Sequence, residues 1–455
     1  MMGDYRVTLW LCALLALVSC NKLNQIHTNA VEVPHTLTAI QQLLDNHQLL
    51  GQSHGLAILS ADEVIIPGPS LYLLQPRERN AYLWEKDIYP REDAVPDWDI
   101  PYQQIRCANA ALNILPQLKT DNRPLRTSLE GAAHFSRAHA CYNLVQLFAK
   151  PYDSAEACCV PGIPVPQETS IHTPVRRLPL QEVYACIIED LHRAARLLPP
   201  LPQMLYPNRP SAVAAYALLS RVYLGMRQYE KAAAFADSCL LRYDTLIDFN
   251  TLDTTAKQPF PAGNPEVLYQ SEMLNNYYLL GIGMQIGLSQ IDSVLYRSYA
   301  PDDLRRVLFY KTNEQEQPQL KSSYSGNNFP FTGIALDELY LIRAECYARA
   351  NNTAAAMEWL NKLLIKRYRQ NYFVPMEAHD PEEALQLILA ERSKELVLRG
   401  LRWADLRRLN IENFGITLRR FAEGKEYILP PNSTRYVMPI PDYEIWLTGM
   451  EQNQR

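Results

Sequence analysis

The chain is short of glycine, with 17 in 455 residues, and it has no surplus of positive charge. Its 44 Lys and Arg face 49 Asp and Glu, a net charge of −5. Without basic side chains in excess there is little to neutralise a phosphate backbone, so a nucleic-acid partner is not expected. No P-loop, no G-x-G-x-x-G and no H-E-x-x-H occurs, so no cofactor or metal is recruited by a motif. His134 and His139 are five apart and do not share a helical face, which argues against a shared metal. No C-x-x-C spacing occurs either. Beyond the first 20 residues no stretch is long and apolar enough to span a ~30 Å hydrocarbon layer.

What is present begins at the N-terminus. Arg6 precedes an apolar run from Leu9 to Val18, too short for a mature transmembrane helix and patterned as a secretory leader. Leu17-Val18-Ser19-Cys20 reads as a lipobox, predicting a leader over residues 1–19, cleavage before Cys20 and acylation of its sulfur. Acyl chains alone would then hold the protein at a membrane. Seven cysteines remain, an odd number, so neither a disulfide framework nor a zinc site is specified. Most lie in apolar helical surroundings, where Cys acts as a small hydrophobe. Cys158-Cys159 stands apart in a Pro-rich loop.

Scarce glycine suits helices, and the 32 prolines cluster between periodic segments. Two segments, 211–242 and 336–368, each read as a helix pair with a break, near Gly225 and near Asn351-Asn352. At an offset of 124 residues, Tyr223 aligns with Tyr347 and Ala232 with Ala356. An aromatic late in one helix and a small residue in the next is tetratricopeptide-like, letting the two helices approach closely. Two further pairs are read near 125–198 and 381–408. In the first, Phe135, Ala138, Tyr142, Val145 and Phe148 fall near one face. The second opens with Asp380 as N-cap and Pro381 in the first turn. The expectation is an all-α, mainly helical fold of four helix pairs in a right-handed superhelical scaffold. Residues 20–455 form one domain, with a few short strands and long insertions at 51–105, 150–178 and 244–335. Loops of that length are seldom idle.

Several pieces, in order, resemble the SusD/RagB family. They are Thr38 to Leu50 with Ser60-Ala61-Asp62-Glu63, then Asn80-Ala81-Tyr82-Leu83-Trp84, then Trp98 to Ile105. Arg137 to Tyr152 resembles the first long helix and its exit. The run from Glu391 to Arg408 and the ending Met438-Pro439-Ile440-Pro441, with Glu444-Ile445 and Glu451-Gln452-Asn453, complete the series. The resemblance implies a non-catalytic outer-membrane lipoprotein on the cell surface. It would capture an oligosaccharide, or in some branches a peptide, and pass it to a SusC-type TonB-dependent transporter. Family members sent to the surface often carry acidic residues after the lipidated Cys; Asn21-Lys22-Leu23-Asn24-Gln25 has none. A periplasm-facing tetratricopeptide scaffold for protein partners therefore stays open as an alternative.

Tyrosine is the compositional outlier, 27 against 11 Phe. Its apolar face and polar tip suit half-wet surfaces. Rings stacked on pyranose faces, with amides reaching hydroxyls, are the chemistry of sugar capture. Candidate contacts in the insertions are Tyr72, Trp84, Asn275, Asn276, Tyr277, Tyr278 and Tyr324. Trp84 also reads as core, and of Tyr277 and Tyr278 only one can face a ligand in an extended segment. Two enzyme readings compete. Gly51-Gln52-Ser53-His54-Gly55 spells G-x-S-x-G, but a helix ending at Gly51 explains the first glycine as a C-cap. Glu391 and Glu395 share a helical face, whereas glycoside hydrolysis needs carboxylates across a cleft. Ion pairs with nearby Arg392, Arg399 and Arg402 are the better reading.

Overall fold

The computed structural model describes residues 35–89, 94–166, 176–261, 263–314 and 316–455. Residues 1–19, where a leader is expected, and Cys20 lie outside them. Ten helices of eight residues or more are found among the described residues. They are α1 (Leu37–Leu44), α2 (Pro96–Ile114), α3 (Arg123–Phe148), α4 (Leu180–Leu197) and α5 (Ala212–Gly225). α6 (Tyr229–Leu240), α7 (Leu336–Arg349), α8 (Thr353–Leu364), α9 (Pro381–Glu395) and α10 (Arg402–Ile411) follow. The fold is mainly helical. No described helix is long and apolar enough to cross a membrane.

Local chemistry sets the helix starts. Asn122, Ser211, Asn352 and Asp380 each accept a backbone N–H of the first turn, heading α3, α5, α8 and α9. Pro124 and Pro381 fall in first turns, where a missing N–H costs nothing. The helices stack in succession: α2 on α3, α3 on α4, α4 on α5, α5 on α6, α6 on α7, and α7 on both α8 and α9. At the α5–α6 crossing Ala232 is fully buried, and Tyr223 stacks nearly parallel on Phe235 with ring centres 5.4 Å apart. Ala356 is buried equivalently in α8.

Two expectations differ from the structure. The segment 51–105 is not a purely irregular insertion, because α2 begins inside it. Pro96 occupies the first turn and Pro101 is carried within the helix, so prolines that read as breakers are absorbed. The last pair also departs from the repeat. α9 stops at Glu395, and the chain turns through Leu398 and Gly400, both at positive φ, before α10. A carboxyl oxygen of the buried Glu63 accepts the Leu398 N–H at 3.1 Å and helps hold that turn. α10 then packs on α5 and on the short helix Leu56–Ser60 rather than back along α9.

The strands are short. β1 (Gln52–Ser53) pairs parallel with β4 (Glu272–Met273), and β2 (Val64–Ile65) pairs antiparallel with β5 (Gln290–Ile291). β3 (Val267–Tyr269) pairs with β8 (Ile334–Ala335), β6 (Tyr310–Thr312) with β7 (Pro318–Leu320), and β9 (Leu418–Ala422) with β10 (Lys425–Leu429), all antiparallel. β1–β4 and β2–β5 tie the 51–105 insertion to the 244–335 insertion, and β3–β8 ties the latter to the start of α7. A main core runs through the whole array. A second core joins α1, α2 and α3 through Ile40, Leu44, Ala111, Leu115, Leu129 and Ala133.

Charge enters this core as well. The Arg305 guanidinium donates to Asp303 at 2.7 Å, Glu391 at 2.6 Å and Glu395 at 3.0 Å. Arg367 donates to Glu395 at 2.7 Å and to Glu266 at 2.9 Å. Arg399 pairs with Asp337, Arg392 with Asp405, and Arg408 with both Asp405 and Glu345. All these side chains are buried. Ion pairing is thus what Glu395 does, but with Arg305 and Arg367 from other segments rather than with Arg399 four residues on.

Candidate ligand-binding face

The five-residue segment Gly51–Gly55 is where scaffold and insertion meet. Gly51 caps a short helix, His47–Leu50. Ser53 is buried and its hydroxyl donates to Thr332 Oγ1 at 2.8 Å, with Ser271 Oγ at 3.3 Å. It therefore stitches together two segments of the 244–335 insertion rather than standing open as a nucleophile. His54 is buried too, and burial, helped by the Arg221 charge, lowers its pKa to about 3. Gly55 is required: a Cβ there would fall 1.8 Å from the Tyr277 ring.

Tyr277 is thereby clamped. Its ring lies against Gly55, and its hydroxyl donates to the buried Asp97 at the start of α2. Asp97 also accepts the N–H groups of Gly55 at 2.8 Å and Leu56 at 2.9 Å. Burial raises the Asp97 pKa despite those three donors. With Tyr277 fixed inward, its neighbours are turned out: Asn275, Asn276 and Tyr278 are all exposed.

A second loop completes the face. Thr332 N–H donates to Ser271 C=O, and Met273 N–H to Pro330 C=O, so residues 330–332 run beside 271–273. This brings the turn at 325–329 to Glu272 and Gly281, on either side of the segment that carries Asn275 and Asn276. Asn327 donates to Glu272, and the Gly281 Cα lies against Phe329. His47 Nε2 is 3.9 Å from Glu272 on the other side. On these adjoining segments the exposed groups are amides and rings: Asn275, Asn276, Asn327, Asn328 and Tyr278, with Phe329 half-buried. Such a surface offers π-faces to an apolar ring face and both donors and acceptors to hydroxyls.

The other candidate residues separate. Three are corrected by burial. Trp84 is 1% exposed, its Nε1–H donates to the Ser60 carbonyl at 2.9 Å, and Arg420 covers its ring. Tyr324 is 5% exposed, donates to Glu266 at 2.9 Å and lies under Arg399. Tyr277 is 1% exposed for the reasons just given. These rings are spent on packing and on satisfying buried carboxylates. Tyr72 is 71% exposed but sits elsewhere, near Arg79, whose guanidinium reaches Glu423 between β9 and β10. Asn327, Asn328 and Phe329 were not anticipated. Their signal is in the sequence: Asn-Asn-Phe echoes Asn275-Asn276-Tyr277 within the same insertion.

Two family models match. One, described as starch-binding and associating with the outer membrane, covers residues 73–224; the other, the SusD family, covers 305–454. The chain belongs to the SusD/RagB family. Among curated SusD/RagB relatives, SusD-like protein P2 of Formosa agariphila is 24% identical, with 73% of this chain and 76% of that protein covered. A SusD superfamily protein from Bacteroides thetaiotaomicron shares the fold at a TM-score of 0.72 and 20% identity, covering 92% of this chain and all of that one. A structure described as a laminarin-binding SusD-like protein aligns at a TM-score of 0.64 and 18% identity, covering 94% and 99% of the two chains.

Proposed function

We propose that this protein captures an oligosaccharide through the face formed by Asn275, Asn276, Tyr278, Asn327, Asn328 and Phe329. The observation that carries the reading is the clamped Tyr277, which commits its neighbours to solvent as a rigid ring-and-amide surface. Preorganisation matters because each sugar contact is weak, and a loop that must order on binding forfeits much of what it gains. The family match supports carbohydrate as the ligand class. The laminarin-binding neighbour makes β-glucan fragments the first ligands to try.

Within this reading the chain is anchored through acylated Cys20 and faces outward. It hands its ligand to a SusC-type TonB-dependent transporter, and its role is binding rather than catalysis. Glu391 and Glu395 fit that role, since both are buried in ion pairs that hold the scaffold. The test is calorimetry of residues 21–455 against a glycan series that includes laminarin oligosaccharides. Alongside it, the protein is recovered from membranes under mild solubilisation. Saturable glycan binding and co-purification of a β-barrel transporter are expected. Binding of peptides in place of glycans, or a stoichiometric partner that is not a β-barrel, overturns the reading. Protease shaving of intact cells separates an outward from a periplasmic orientation.

A further inference from the structure

The described cysteines fall into three environments, of which Cys107 and Cys186 occupy one, half-buried on α2 and α4. Cys141, Cys239 and Cys346 are buried in helices, and burial pushes their thiols well above the ordinary value. Cys158 and Cys159 are exposed, and they are adjacent. Adjacent side chains in extended backbone point to opposite sides. Here a run of turns over residues 154–159 brings both to one side, with the sulfurs 3.0 Å apart. That is about 1 Å from the ~2.05 Å of an S–S bond.

The turn is held in place. Asp153 C=O accepts the N–H groups of Glu156 and Ala157, and Glu156 C=O accepts those of Cys159 and Val160. Gln181 N–H donates to Ala157 C=O and Leu180 N–H to Val160 C=O, tying the turn to the start of α4. Ala157 is buried beneath it, and Arg227 reaches Asp153 at 3.3 Å. The sulfurs are thus presented outward on a fixed base.

We propose that Cys158 and Cys159 form a vicinal dithiol that closes reversibly to an eight-membered-ring disulfide on meeting a low-molecular-weight disulfide. Its occurrence in the native setting rests on the extracytoplasmic location proposed above, where disulfides persist. One thiolate of the pair attacks a donor sulfur, forming a mixed disulfide and releasing one donor thiolate. The second thiolate attacks the protein sulfur of that bond, forming the Cys158–Cys159 bond and releasing the other donor thiolate. The two thiol protons pass to water; the protein loses two electrons and the donor gains them. Proximity makes the second step intramolecular and therefore fast. Neighbouring Cα atoms lie ~3.8 Å apart, below the ordinary disulfide span of ~4.4–6.8 Å, so the ring is strained and easily reduced again.

The test treats purified residues 21–455 with oxidised glutathione, alkylates remaining thiols, and reads intact mass and the peptide carrying both residues. The expected product is a monomer whose peptide is unalkylated and about 2 Da lighter, restored by dithiothreitol. Cys158→Ser should instead keep a glutathione adduct on Cys159, with no 2 Da loss. Retention of two alkylatable thiols, two stable glutathione adducts, or disulfide-linked dimers overturns the proposal. None of these readouts involves a glycan, so failure here leaves the binding reading standing, and the reverse.

Discussion

Two regions of this molecule invert the usual rule for where charge and rings belong. The seam around α9 and α10 buries Arg305, Arg367, Arg392, Arg399 and Arg408 with their carboxylates in the core. The face at 272–281 and 325–329 exposes Tyr278 and leaves uncharged amides in water. The seam is rich in groups that chemistry could use, yet each is committed to a partner. The face has few such groups, and most are open to solvent: Asn275, Asn276, Asn328 and Tyr278 are exposed, while Asn327 is held by Glu272. What marks a site here is availability held in place by a rigid support, not the presence of reactive side chains.

The sharpest way to break the comparison is Glu395→Gln. Arg305 and Arg367 would each lose an ion-pair partner while remaining buried. Burial alone would lift the Glu395 carboxyl, but Arg367 and Arg305 outweigh it and hold it at about 2. Removing one member of a buried pair costs about 3–5 kcal/mol. Thermal unfolding should show that loss directly. Unchanged stability accompanied by loss of a glycan-hydrolysing activity would move Glu395 from scaffold to catalyst.

The seam also carries a pH signature at its edge. Burial and the adjacent Asp62 push the Glu63 carboxyl up to about 8, against the pull of the Leu398 N–H. A folded-state value raised from 4.5 means its contribution is fully present below pH 4.5 and is lost as pH rises through about 8. Glu63→Gln removes that titration. Its stability relative to wild type should therefore climb from pH 5 to pH 8 and level off beyond, measured by denaturant unfolding across buffers. A flat difference would place Glu63 in its ionised form throughout.

Much of the scaffold was legible in the sequence, and the reason is local. Ser211, Asn352, Asp380 and Pro381 act within one turn of themselves, so helix starts can be read without knowing the fold. Periodicity and the Tyr223/Ala232 spacing likewise need only neighbours. The α9–α10 turn was not legible, because Leu398 is steadied by Glu63, which lies far away in sequence. The site was legible by half. Asn275, Asn276 and Tyr278 stood out by composition, but nothing near Tyr277 says that Gly55 and Asp97 will claim it. Trp84 and Tyr324 failed for the same reason: their partners, Ser60 and Glu266, are met only in the folded chain.

Between seam and face stands Tyr277, which belongs to both. Tyr277→Phe keeps the ring against Gly55 and deletes only the hydroxyl that donates to Asp97. Asp97 would then rely on two backbone N–H groups, and an under-satisfied buried carboxyl costs about 1–3 kcal/mol. Stability should fall by that amount, and glycan affinity should fall with it as Tyr278 loses its support. Tyr278→Ala separates the two effects. It removes an exposed ring, so stability should stay within about 0.5 kcal/mol, while affinity should drop about tenfold, near the ~1.4 kcal/mol that a good ring contact supplies. Equal losses of stability and affinity in Tyr278→Ala would mean that this ring, too, is structural.

The smallest expected effect is the most informative about location. Tyr72 is more exposed than Tyr278, at 71% against 49%, and has a cation near its ring. By composition and exposure alone it is the better platform. It lacks the rest of the face: no run of amides adjoins it in sequence, and its buried neighbour Leu71 is held by packing rather than by a hydrogen bond of the Tyr277 kind. Its contact is Arg79, itself committed to Glu423, and exposed pairs of that sort contribute at most about 1 kcal/mol. Tyr72→Ala should therefore leave glycan affinity within twofold and stability within about 0.5 kcal/mol, by the same calorimetry and unfolding used for Tyr278→Ala. A tenfold loss at Tyr72 with none at Tyr278 would relocate the binding face to the neighbourhood of the β9–β10 hairpin. It would also show that exposure of a ring, without a rigid support behind it, is enough to bind.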